Sequence, residues 1–204
     1  MVRNRSGVIR SYPPLGMGWW RSDFAGAYGD GPRNYLNYLS LMQLSLRAGG
    51  RVFLDSADFA RAGCVLSSSY HTKHALSYDW SLGSITFSVL YFLPRENTLG
   101  CLVSLANRSG SEEEVELYAT HVYATGPVKW WGRDGMTSRY VPGPGAAVTK
   151  TWAYGDVFAM ASAGPAAAHH GFTAAAEWEA WVRSGGRESG GTISLRGRGP
   201  LRTT

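Results

Sequence analysis

The sequence predicts an all-β chain: a large antiparallel β-sandwich with at most a short helix near 174–182. Three observations predict it. Segments of alternating apolar and polar residues recur with a period of two, the periodicity of a strand rather than a helix. The 26 Gly and 9 Pro among 204 residues supply turns between short strands better than they serve a helical bundle. With 44 % hydrophobic and only 17 % charged residues, a chain of this size can bury a core, which excludes disorder.

Composition divides the chain into an amino-terminal arm (1–15), the sandwich (16–183) and a Gly/Arg-rich tail or the start of a continuation (184–204). The first informative stretch allows two readings. Tyr35, Leu36, Leu39 and Met42 follow helical spacing, and Pro32 suits a first helical turn. Against this, Met42, Leu44 and Leu46 alternate with Gln43, Ser45 and Arg47, and Ala48-Gly49-Gly50 turns into Arg51-Val52-Phe53-Leu54. A hairpin accounts for both the alternation and the glycines, so the strand reading is preferred.

The clearest strand runs from Ser84 to Leu93, where Pro94 stops it. Arg95-Glu96-Asn97 is a polar turn into Thr98–Ala106, with Leu99, Cys101, Val103 and Leu105 on one face. Asn107 to Glu114 is a polar and acidic loop before Val115–Tyr123. Short connections predict that these are three neighbouring antiparallel strands of one sheet. Downstream, the loop Val141-Pro142-Gly143-Pro144-Gly145 precedes strands at Val148–Trp152 and Asp156–Ala163. The alanines and the spacing of Trp178, Trp181 and Val182 predict the helix, and Thr192–Leu195 a last strand.

The net charge is +5 and the pI about 9.4, yet the basic excess gathers at Arg183, Arg187, Arg196, Arg198 and Arg202 in a Gly-rich stretch. That pattern reads as a solvated tail, and no nucleic-acid partner is expected. No run approaches the ~18 apolar residues of a membrane span, so no membrane partner is expected. Met1–Arg10 lacks the apolar centre of a secretory signal, which favours the cytoplasm.

Cys64 and Cys101 lie in apolar runs and read as buried free thiols. With no spaced Cys or His partners they make no zinc site, and a strand would point His71 and His74 to opposite faces. Gly-x-Ser-x-Gly, phosphate-loop and dinucleotide-binding patterns are missing. The carboxylates Glu112, Glu113, Glu114, Glu116, Glu177 and Glu179 nominate no pair flanking one bond. No catalytic residue, cofactor or metal ligand is therefore assigned.

Two aromatic clusters carry the binding chemistry. Trp19-Trp20-Arg21-Ser22-Asp23 and Trp130-Trp131-Gly132-Arg133-Asp134 each set a tryptophan pair beside an arginine and an aspartate in a glycine-bounded loop. Sugar sites use such parts, an indole on the C–H face of a pyranose and charged groups on its hydroxyls. The plainer reading has one indole plug the end of the sandwich while Arg and Asp pair with each other. Adjacent residues of an extended segment leave on opposite sides, so at most one of Trp130 and Trp131 is expected in the core.

The runs Ser68–Lys73, Ile85–Glu96, Val103–Ser109 and Glu114-Val115-Glu116-Leu117-Tyr118, with the Gly49–Asp55 hairpin and the Trp-rich start, resemble a known domain. It is the amino-terminal super-sandwich of glycoside hydrolases and sugar phosphorylases that carry an (α/α)6 barrel behind it. The likeness spans about residues 16–183 and rests on alternation and turn chemistry. It implies a non-catalytic domain of a carbohydrate-active enzyme that supports a downstream barrel and borders the substrate rim. The catalytic carboxylates would lie in that barrel, beyond Thr204, after a last sandwich strand and a linker. Oligosaccharide contact and a homodimer are further expectations. A free-standing carbohydrate-binding module and a small β-rich enzyme are the alternatives.

Overall fold

The computed structural model describes residues 2–4, 7–9, 11–12, 16–17, 36–54, 56–72, 75–95, 98–125, 135–152, 157–164, 168–196 and 200–204. The chain opens with β1 (Val2–Asn4) and β2 (Gly7–Ile9), which pair with each other. Then come β3 (Ser11–Tyr12), β4 (Gly16–Met17), β5 (Leu36–Ala48) and β6 (Arg51–Phe53). Helix α1 (Ser56–Arg61) leads into β7 (Val65–His71), β8 (Ala75–Leu82), β9 (Ile85–Arg95) and β10 (Thr98–Asn107). The rest is β11 (Val115–Thr125), β12 (Gly135–Val141), β13 (Ala146–Thr151), β14 (Val157–Ala161), β15 (Gly171–Phe172), α2 (Ala175–Arg183), β16 (Ile193–Arg196) and β17 (Pro200–Thr203).

These strands build an antiparallel β-sandwich. The main sheet runs β15-β17-β11-β5-β4-β3, with β6 hung on β5. A four-stranded sheet runs β10-β9-β8-β7, and a third runs β14-β13-β12-β16. Leu44, Leu46 and Ala48 from β5 and Phe53 from β6 share one core with Leu76, Tyr78 and Trp80 of β8 and Ile85, Phe87, Val89 and Tyr91 of β9. Tyr123, Met136, Phe158 and Leu201 extend that core to the third sheet. Phe59 of α1 sits at the centre, its ring 4.7 Å from Phe53 and 5.0 Å from Phe87. The opposite face of the main sheet is covered by α2, whose Trp178 and Val182 pack on Tyr118 and Phe172.

The preferred hairpin forms. Ala48 pairs with Arg51, and Gly49 and Gly50 both take positive φ, +55° and +70°, as a two-residue type I′ turn requires. The helical alternative for Leu36, Leu39 and Met42 falls, because β5 is extended throughout. The helix near 174–182 forms as α2, and strands form within both Val148–Trp152 and Asp156–Ala163.

One expectation is overturned. β9 and β10 are antiparallel neighbours, but β11 is not the third strand of their sheet. It lies between β5 and β17 in the main sheet, Leu117 opposite Leu46 and Tyr118 opposite Ser45. The connection from Arg108 to Glu114 is longer than a tight hairpin loop, and it has the reach to cross the ~10 Å between packed layers. Residues 184–204, tail-like in composition, supply β16 and β17, and Leu201 of β17 is fully buried.

Candidate functional site

The tryptophan clusters named from the sequence, Trp19, Trp20, Arg21 and Asp23 together with Trp130, Trp131, Arg133 and Asp134, lie outside the described residues. The same holds for the expectation of one exposed indole at Trp130 or Trp131. The described surface offers a different candidate, the outer face of the four-stranded sheet.

Register assembles that face row by row. Tyr70 stands opposite Ser77, Ser77 opposite Leu90, and Leu90 opposite Leu102. In the next row, Ser68, Asp79, Ser88 and Ser104 are successive partners. Alternation sends the intervening Leu76, Tyr78, Phe87 and Val89 into the core, so these two rows face solvent. Tyr70 is 62 % exposed and Leu102 57 %. The ring of Phe92 lies over Gly100, where a β-carbon would collide with it, an aromatic covering a glycine across a strand pair.

The polar row is organised around Asp79. Ser68 donates to its carboxylate, and the hydroxyls of Ser68 and then Ser88 hold that carboxyl below the usual aspartate range. An ionised acceptor flanked by hydroxyls, one row from an exposed phenol ring, can bind hydroxyl groups while the ring covers apolar C–H surface. In its row Asp79 stands between Ser68 and Ser88, an arrangement able to hold a hydroxylated ligand.

A second polar cluster is internal. Thr203 donates to the Ser138 hydroxyl at 3.0 Å, which uses its only proton. Thr149, 3.3 Å from Thr203, must then donate to it. The remaining contact, His121 Nε2 to Thr149 at 3.0 Å, needs the ring to donate. His121 is therefore the neutral Nε2–H tautomer, and burial, followed by the neighbouring His169, pushes its pKa down to about 3. Next to it Thr120 bonds Thr204 through their hydroxyls, and Trp178 donates to the same Thr204 hydroxyl. His169 Nδ1 donates to the Thr204 carbonyl at 2.7 Å. Ser138, Thr149, Thr203 and His121 are all buried, so this seam ties the main sheet to the third sheet.

The remaining charged cluster is also a tie. Glu116 on β11 bonds Arg47 of β5, the Tyr118 hydroxyl and Arg187 beyond α2. Burial pulls its carboxyl upward, but the hydrogen bonds from Tyr118, Arg187 and Arg47 outweigh this and hold it below the usual range. Glu177 and Glu179 are exposed on α2. Among the described residues no three His, Cys, Asp or Glu side chains gather as metal ligands. No helix there is long and apolar enough to cross a membrane. Cys64 and Cys101 are free and only partly buried, and burial raises their thiols to about 11 and about 12, which keeps them protonated and unreactive at neutral pH.

The outer face escaped the sequence reading because its parts come from four strands. Serines at 68, 77, 88 and 104 look like ordinary solvent-facing positions until register aligns them. The one usable hint was Tyr70-His71 after three serines. Comparisons with protein-family models, with curated proteins and with solved structures returned no match.

Proposed function

We propose that this chain is a non-catalytic β-sandwich domain of a carbohydrate-active enzyme, a glycoside hydrolase or sugar phosphorylase, that buttresses a downstream (α/α)6 barrel and borders its substrate. One observation carries the reading: the outer face joins Tyr70 to the Asp79 hydroxyl row, chemistry suited to a neutral sugar and not to a reaction. Supporting it, the runs that resemble the super-sandwich domain lie on β7, the β9–β10 hairpin and β11. The same face also favours the second reading, a free-standing carbohydrate-binding module.

The coding sequence that follows the codon of Thr204 separates the two. A frame that continues for several hundred codons with paired-helix periodicity supports the accessory domain. An immediate stop codon overturns it in favour of the free-standing module.

A further inference from the structure

His169 is a buried titratable group that the outer binding face does not use. It stands just before β15, which meets β17 through two residue pairs, Gly171 with Thr203 and Phe172 with Arg202. The contact is lengthened only by the backbone hydrogen bonds that His170 and Thr204 exchange. On the α2 side, Phe172 joins Tyr118, Trp178 and Val182 in a cluster separate from the main core. Residues 169–183 thus form an edge unit with a short backbone ladder and a small apolar patch of its own. Units of this kind open locally at a lower free energy than the whole fold.

The His169 ring faces the other way, into the seam with the third sheet. Its Nδ1 donates to the Thr204 carbonyl at 2.7 Å, and the ring of Tyr140 on β12 lies 5.7 Å away. Its Nε2 is buried and meets no hydrogen-bond partner among the described residues. The titratable groups that interact with it are two more imidazoles, His121 of β11 and the adjacent His170. Arg202 of β17 and Glu179 of α2 interact with each other instead, and no carboxylate among the described residues acts on His169. A proton on Nε2 is therefore a donor with no acceptor, on a buried cation with no counter-charge.

We propose that His169 is an acid-operated latch: proton uptake at Nε2 lifts β15 and α2 from β17 while the three sheets stay formed. The charged ring reaches water by moving the piece of chain that carries it, and that piece is the weakly held edge unit. His121 has no such route, because β11 lies between β5 and β17. Release uncovers Tyr118, Phe172, Trp178 and Val182. Burial holds the His169 ring below its ordinary pKa of 6.5, so the unit is held most tightly above pH 6.5 and loosens as pH falls below it.

Hydrogen exchange of the unaltered chain at pH 7 and pH 5, corrected for intrinsic rates, tests this. The opening constant of amides in residues 170–183 is expected to rise severalfold, to at most about 25-fold, the limit for one proton taken up only on opening. These amides are expected to exchange faster than those of β8 and β9 at pH 5, which marks the release as local. His169→Asn keeps an amide donor near the position of Nδ1 but cannot titrate, and is expected to abolish the rise. His121→Gln is expected to preserve it, which separates the latch from the pH dependence of the whole fold. No rise in residues 170–183, exchange there no faster than in β8 and β9, a rise that persists in His169→Asn, or one lost in His121→Gln overturns the proposal.

Discussion

At the scale of single residues, the buried histidine makes the sharpest statement. His121 is neutral because its ring is the proton donor at the head of the Thr149–Thr203–Ser138 chain, and charging it would strand a cation in the core. Its pKa falls from 6.5 in the unfolded chain to about 3 in the fold, so between these values the unfolded chain binds the extra proton. The contribution is complete above pH 6.5 and is lost as pH falls, at up to about 1.4 kcal/mol per pH unit. Urea unfolding at pH 7 and pH 5 checks it: the parent is expected to lose about 2 kcal/mol more than His121→Gln over that interval. An equal loss in both proteins would contradict the assignment. Glu116 is a milder case, since its partners are partly in solvent. Glu116→Gln is expected to cost up to about 1 kcal/mol at low salt. The difference from the parent should shrink in 1 M salt, where the Debye length is only about 3 Å.

At the scale of elements, helix α2 is held by two side chains more than by its own propensity. Its amino-terminal cap, Ala174, offers no side-chain hydrogen bond, and a helix of nine residues is marginal alone. Trp178 and Val182 anchor it on Tyr118 and Phe172, and the Trp178 indole N–H is satisfied by Thr204. Trp178→Ala is therefore expected to destabilise the protein by about 3–5 kcal/mol, measured by thermal or urea unfolding; a cost below about 1 kcal/mol would mean that α2 is not anchored there. The same helix was legible in the sequence from the spacing of Trp178, Trp181 and Val182, as the β5–β6 hairpin was from its alternation and paired glycines. What local pattern could not reveal was which sheet a strand joins. Alternation in β11 fits equally well beside β10 or beside β5, and only the reach of the Arg108–Glu114 connection and the Arg47–Glu116 cross-strand pair decide it. β12 was also missed, because Gly135 and the glycine-proline loop after Val141 mask a strand whose side chains alternate between Met136, Ser138 and Tyr140 on one face and Thr137 and Arg139 on the other.

At the scale of the whole molecule, the all-β sandwich was readable from composition and periodicity, while its polar seams were not. Ser45, Thr120, Ser138, Thr149, Thr151 and Thr203 are all fully buried, although serine and threonine at strand positions normally read as solvent-facing. They are tolerated inside because several are hydrogen-bonded: Ser45 to the Leu54 carbonyl and Thr120 to Thr204 within the main sheet, and Thr203 to Thr149 and Ser138 across the joint with the third sheet. The binding and supporting role is proposed from the hydroxyl row around Asp79 beside the exposed Tyr70. The most direct test compares two polypeptides on neutral gluco-oligosaccharides, with and without inorganic phosphate: the 204-residue chain and the product of the same reading frame carried to its stop codon. The expected result is that the chain alone releases neither free sugar nor sugar phosphate above the buffer rate, while the extended product releases one of them. Turnover by the chain alone, abolished by changing a single carboxylate such as Glu177 or Glu179, would contradict the non-catalytic reading.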